Sequence, residues 1–204
     1  MYIPDIYKNE NAQEIRTFLK ANAFGIFVTN KDGRSCATHI PLEITMREDG
    51  KEILHGHISK MNEQVEHLID GVEALGIFNG PHSYISASWY DFEEVSTWNY
   101  IAVQVRGVLK ILDREGLYNS VKALMNTYEK PQENPVNMDS LSEKTMRQLD
   151  GIIGFEVEIN SIEAAKKMSQ NRDVKNHNQI IERLRENGNP QEEAVAKTMD
   201  QNRK

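Results

Sequence analysis

A mainly β fold with helices, an α+β class built on a closed or split antiparallel barrel, follows from three features of this 204-residue chain. Segments such as Val103, Val105, Gly107, Leu109 and Ile111 alternate with Gln104, Arg106, Val108, Lys110 and Leu112 at the period of a half-buried strand. Turn signals separate these segments at meander spacing. Helical apolar stripes lie in the connections. Six or seven such strands need one inner face and protected edges, which a barrel supplies.

The elements follow in order. Asn11 with Glu14 three residues on reads as a helix cap, and Ala12, Ile15, Phe18 and Leu19 mark one apolar face ending near Asn22. Residues 25–29 and 35–44 read as strands around the hairpin signal Asn30-Lys31-Asp32-Gly33, and Glu48-Asp49-Gly50 turns into a third strand over 52–58. Residues 61–70 predict a short helix closed by Gly71, and 72–79 a strand leading into an aromatic loop. After the strand at 103–112, Asp113 caps a helix with Leu117, Val121, Leu124, Met125 and Tyr128 on one face. A loop with two prolines leads to a helix over 140–149, and a further strand spans 153–160. Val174, His177, Ile180, Ile181 and Leu184 form a helical stripe closed by Gly188, and Asn189-Pro190 opens a last, polar helix. These boundaries predict a barrel domain over residues 1–168 and a C-terminal helical segment over 169–204, packed on the barrel or on a partner subunit.

Composition narrows the function. The chain is long enough to bury about 70% of its unfolded surface. Its 39% hydrophobic content and mean hydropathy of -0.61 are lean, so a homo-oligomer or a bound ligand is expected to complete the burial. The first residues lack a signal sequence and no apolar run spans a bilayer, so a soluble, cytoplasmic protein is expected. Cys36 is the sole cysteine, which excludes an intrachain disulfide, and a lone strand cysteine is usually a small buried hydrophobe. The net charge of -7 opposes nonspecific DNA affinity. Only residues 166–185 carry a local excess of basic side chains, and an ordinary solvated helix explains that equally well.

Residues 78–100 hold Phe78, Tyr84, Trp89, Tyr90, Phe92, Trp98 and Tyr100, including both tryptophans of the chain. The phrases Gly80-Pro81-His82-Ser83-Tyr84 and Thr97-Trp98-Asn99-Tyr100 pair ring faces with hydrogen-bonding groups, a mixture suited to a flat ligand or to simple burial. His55-Gly56-His57 puts two imidazoles on one strand face with His39 on the neighbouring strand. No third carboxylate or thiolate stands at ligand spacing, so no metal is expected. Gly56 between them predicts close approach by a backbone or a ligand. Ser59-Lys60-Met61-Asn62, where a strand end meets a helix start, offers a hydroxyl, an ammonium and backbone N–H groups to a phosphate, or forms an ordinary serine cap beside a solvated lysine. The dinucleotide and P-loop glycine motifs and the Gly-x-Ser-x-Gly elbow are missing from the sequence.

Taken together, these phrases make the chain resemble the PaiB family, described as FMN-binding negative transcriptional regulators. The resemblance rests on Met1-Tyr2-Ile3-Pro4, Ala37-Thr38-His39-Ile40-Pro41-Leu42, Gly56-His57, Gly80 to Tyr90, Thr97-Trp98-Asn99-Tyr100 and Ser169-Gln170-Asn171-Arg172. Two departures stand out: Glu63-Gln64-Val65 where the family commonly has Pro-Gln-Trp, and Ser96 in place of a usual proline. The resemblance implies an FMN-binding split β-barrel that forms a homodimer with flavin at the interface. It further implies that Thr38, His39, Ile40 and Pro41 line the isoalloxazine and that His57, Ser59 and Lys60 reach the ribityl chain and phosphate, with Asn62 beside them. Trp98 and Asn99 would close the ring site, and Ser169, Gln170 and Arg172 would come from the other subunit. The implied function is negative regulation of sporulation and degradative-enzyme genes. The alternative is an FMN-dependent oxidoreductase of the flavin-reductase or heme-degrading kind. The family description admits DNA as a partner, which the charge does not support.

Overall fold

The computed structural model describes residues 1–202, which contain seven strands and five α-helices. Helix α1 (Ala12–Ala21) opens as its cap predicts, the Glu14 backbone N–H donating to Asn11 Oδ1 at 3.1 Å. Strands β1 (Phe24–Lys31) and β2 (Arg34–Pro41) form the expected hairpin. Asp32 and Gly33, with φ of 52° and 79°, supply the two positive dihedrals of the tight turn that matches strand twist.

The single strand expected over 35–44 is two strands. Proline at 41 has no N–H for a ladder, and Leu42 N turns to donate to Ala23 O at 2.8 Å. The chain restarts as β3 (Glu43–Met46), which pairs antiparallel with β4 (Glu52–Ser59). The helix expected over 61–70 shrinks to a 3-10 turn, Glu63–His67, because Asn62 caps it and the Gln64 side chain is drawn into hydrogen bonds with β1 and β2.

Three strands outrun their sequence boundaries. β5 (Glu73–Ile85) continues through Gly80-Pro81, β6 begins at the Thr97-Trp98 phrase (Thr97–Ile111), and β7 (Ile152–Lys167) runs past residue 160. The aromatic stretch is therefore mostly strand, with only residues 86–96 connecting β5 to β6 through the 3-10 turn Ala87–Trp89. Helix α2 (Arg114–Glu129) starts at its predicted cap, Gly116 N donating to Asp113 Oδ1 at 2.8 Å. The helix expected over 140–149 is a 3-10 turn, the single-turn α3 (Glu143–Met146) and another 3-10 turn. Helices α4 (Val174–Glu186) and α5 (Pro190–Gln201) close the described chain. α5 is less polar than its composition suggests, since Val195, Ala196 and Met199 are fully buried.

The sheet order is β2-β1-β5-β6-β7-β4-β3, so the strands are not a simple meander: β1 sits beside β5 and β4 beside β7. Two compact units divide the chain. One comprises residues 19–77 and 105–162; the other comprises residues 1–18, 78–104 and the chain from Glu163 onward. In the first, Phe27 stacks on Phe155 at 4.2 Å between ring centroids, and Leu42, Leu54, Ile58, Val105 and Leu109 are buried. Each such side chain contributes about 1.5–3 kcal/mol on leaving water. Arg47 ties β3 and β7 together through Glu156 and Glu158, both at 2.7 Å, and also holds Asp49. In the second unit, Ile85, Tyr90 and Met168 pack with Ile180, Ile181 and Leu184 of α4 and with the buried face of α5.

Candidate functional site

The first unit holds eight of the thirteen expected site residues, among them Thr38 and Asn62 of a polar hub. Thr38 Oγ1 donates to Gln64 Oε1 at 2.6 Å and accepts from Asn62 Nδ2 at 2.9 Å. Gln64 is 1% exposed, and its amide N–H groups reach Phe27 O, Thr29 Oγ1 and Cys36 O, so every polar atom of its side chain is used. Asn62 Oδ1 accepts from Gln64 N at 2.9 Å, locking the turn that follows Lys60. Gln64 was not among the expected site residues, although it sits within the phrase the family writes as Pro-Gln-Trp. Within a segment read as a helix a glutamine passes for a solvated residue, so the sequence carried no signal for its inward turn.

His57, Ser59 and Lys60 lie at the end of β4. Lys60 N donates to Gly151 O at 2.9 Å, which fixes the backbone, while its exposed ammonium has no partner among the described residues. Ser59 Oγ accepts from Met61 N at 3.1 Å, so the serine does act as a local cap. The half-buried His57 imidazole makes no hydrogen bond within the described residues, and burial holds its pKa below the ordinary value. Its neighbour His55 lies 2.8 Å from Ser120 Oγ and is likewise pushed down, first by burial and against the pull of Glu156. Both rings are therefore neutral near pH 7. Among the described residues no group of three His, Cys, Asp or Glu side chains could hold a metal ion.

Gly56 brings β2 and β4 close. A Cβ there would stand 3.1 Å from Pro41 O and 3.1 Å from Leu42 Cδ2, so the expected close approach is by backbone. His39 and Ile40 complete this strand end; the exposed His39 ring stacks with Phe24 at 6.5 Å, and Phe24 itself is 69% exposed. The set fits FMN: an unpaired ammonium suits a phosphate, an unpartnered half-buried imidazole suits a polyol, and an open strand edge suits a flat ring.

The second unit holds the other expected residues. Trp98 is half exposed, its Nε1 donates to His82 Nδ1 at 3.4 Å, and Tyr84 meets it edge-on at 6.1 Å. Tyr84 Oη in turn donates to Ser96 Oγ at 2.6 Å, a bond the family's usual proline could not make. Asn99 is 0% exposed and exchanges hydrogen bonds with Ser169 at 3.0 and 3.1 Å, while its amide also meets Met199 Sδ. Ser169 adopts a φ of 55°, a left-handed conformation that this bond helps to hold. Gln170 donates to Ile6 O and Lys166 O. Arg172 pairs with Glu94 at 2.6 Å and lies 4.8 Å over the Tyr90 ring. The basic run is likewise engaged: Lys166 with Glu14, Lys167 with Thr97, Lys175 with Asp91, Arg183 with Glu186, and Arg185 with Asp200 and Glu193.

The fold is that of an α+β split-barrel protein. Residues 1–161 match the family described as "Putative FMN-binding domain", and the chain belongs to that family. It is 39% identical over 201 residues to the "Protease synthase and sporulation protein PAI 2" of Bacillus subtilis, covering 98% of this chain and 97% of that one. Among solved structures it is similar to the FAD and heme binding protein from Mycobacterium smegmatis, with a TM-score of 0.63 at 15% identity over 84% of this chain and 78% of that one. The flavocytochrome Anf3 from Azotobacter vinelandii gives a TM-score of 0.54 at 13% identity over 87% and 78%. The sequence resemblance to the PaiB family is thereby borne out, as are the split-barrel class and the flavin cofactor.

Proposed function

We propose that this chain is an FMN-binding regulator related to the Bacillus protein, acting as a cytoplasmic homodimer that represses sporulation and degradative-enzyme genes. The observation that carries the flavin part is the unpaired Lys60 ammonium beside the Thr38, Asn62 and Gln64 hub. Near-complete coverage of the Bacillus relative supports the regulatory part. Phe24 and the 93% exposed Met61 flank the hub and favour a covering subunit. No helix of the described residues is long and apolar enough to cross a membrane. In this reading Thr38 to Pro41 support the ring, His57 and Ser59 the ribityl chain, and Lys60 the phosphate. Trp98 and Asn99 close the ring site, and Ser169, Gln170 and Arg172 shape the far wall from the partner. The paired state of residues 166–185 argues that repression works through a partner protein rather than through phosphate contacts of its own.

Titrating the purified chain with FMN while following flavin fluorescence, alongside light scattering, tests this. One flavin per chain in a dimer is expected, and a monomer indifferent to FMN overturns it. A second reading, an oxidoreductase, draws on the heme and flavin names of the two structural relatives. Bound FMN supplies a hydride acceptor; the chain's residues supply position and polarity. Anaerobic mixing with NADPH decides between them: bleaching of the visible flavin band supports the enzyme, and an unchanged band removes it.

A further inference from the structure

Cys36 lies on β2, an outermost strand of the sheet, and is half-buried rather than the sealed hydrophobe a lone strand cysteine usually is. Its Sγ stands 3.4 Å from Nε2 of His67, the last residue of the 3-10 turn that carries Gln64. That imidazole is only 6% exposed, and its Nδ1 has no hydrogen-bond partner among the described residues. A buried ring with one nitrogen unmet is costly in a core, and what it offers in return is a proton acceptor aimed at the thiol. The same turn reaches the hub. Gln64 Nε2 donates to Cys36 O at 3.3 Å, and Gln64 Oε1 accepts from Thr38 Oγ1 at 2.6 Å.

We infer that Cys36 is a peroxide-reactive thiol with His67 as its proton acceptor, and that its oxidation loosens the hub and weakens flavin binding. The second clause rests on the flavin reading above; the first stands without it. In the reaction the sulfur attacks one oxygen of hydrogen peroxide: an S–O bond forms, the O–O bond breaks, and two electrons pass from sulfur to the peroxide. His67 Nε2 takes the thiol proton and hands it to the departing hydroxide, which leaves as water. The product is a sulfenic acid. As the sole cysteine, Cys36 has no partner in its own chain for a disulfide, so an external thiol returns it to the reduced form. A half-buried position on an edge strand admits a molecule as small as hydrogen peroxide and disfavours bulkier oxidants. The added oxygen needs room where 3.4 Å now separates sulfur from ring. The turn Glu63–His67 yields to it, drawing Gln64 away from Thr38.

Treating the full chain with hydrogen peroxide, with dimedone as the sulfenic-acid trap and intact-mass spectrometry as the readout, tests the site. The trapped adduct can lie only at Cys36. An unassisted half-buried thiol reacts more slowly in the folded chain than in urea; here the folded chain is expected to react roughly tenfold faster, and His67→Gln to lose most of that gain. A folded chain slower than the unfolded one overturns the inference, as does a folded His67→Gln chain as fast as the wild type. The comparison with urea needs no variant, so it decides the matter even if His67→Gln fails to fold. Coupling to the hub is read by FMN titration before and after oxidation, with affinity expected to fall roughly fivefold or more and to recover with dithiothreitol. Affinity unchanged by complete oxidation overturns the coupling. A reduced chain that binds no FMN sinks the regulator reading and the coupling with it, while the mass shift still judges the thiol.

Discussion

Lys60 stands where a strand stops, its backbone fixed to Gly151 and its side chain left to solvent. That combination is what a phosphate contact requires, a fixed origin and an unspent charge. Replacing it with alanine is expected to weaken FMN by about 1.5–3 kcal/mol, the worth of a hydrogen bond to a charged group, and to leave riboflavin nearly untouched. Equal losses for the two ligands in parallel titrations would remove the phosphate role. Ser59-Lys60-Met61-Asn62 was legible as a strand end because apolar alternation ceases there. Gln64 was not, because a polar residue in a predicted helix reads as solvated, and only the tertiary fold shows it turned inward to Thr38, Thr29 and two backbone carbonyls. Asn99 is the converse case. Its phrase suggested a ligand contact, and the side chain is spent on Ser169 inside its own unit.

At the level of elements, local signals fared best where the chain satisfies itself locally. The caps at Asn11 and Asp113 and the Asp32-Gly33 turn lie where spacing places them, because each is a contact within a few residues. Strand lengths did not follow. β5 continues through Gly80-Pro81, and β7 carries a run of buried residues, Gly154 to Val157, that breaks simple alternation. Glu156 belongs to that run and is only 8% exposed on its side chain, so it depends on Arg47 at 2.7 Å and on the more distant Lys110 at 3.4 Å. Arg47→Ala strips that carboxylate of its close partner. A loss of about 1–3 kcal/mol is expected, partial exposure of the arginine keeping it below the range for fully buried pairs. Urea unfolding measures it, as a lower midpoint at unchanged slope; a shift within about 0.5 kcal/mol would mark the network as ordinary surface charge.

Across the whole molecule, pH reads the balance of these groups. Burial depresses His55 and His57 below their ordinary 6.5, so the unfolded chain binds protons first as pH falls. Their stabilising contribution is complete above pH 6.5 and declines as the pH drops beneath it. A second loss belongs to Asp49, held down to about 2 chiefly by its hydrogen bond from Arg47; its share is present above 3.8 and goes as pH falls towards 2. Denaturant midpoints taken from pH 8 down to 5.5 are expected to decline for the wild type and to decline less steeply in His55→Gln, where His57 alone remains depressed. A variant as steep as the parent would place the proton uptake elsewhere. The acidic composition made the global charge legible from the start, yet it hid how the basic side chains of residues 166–185 are arranged. Five of those six cations already hold a carboxylate, at Glu14, Glu94, Asp91, Glu186 and the Glu193 and Asp200 pair. Such a surface carries almost no loosely condensed counterions to give up to the medium, and so lacks the entropic drive by which polyelectrolytes are ordinarily captured.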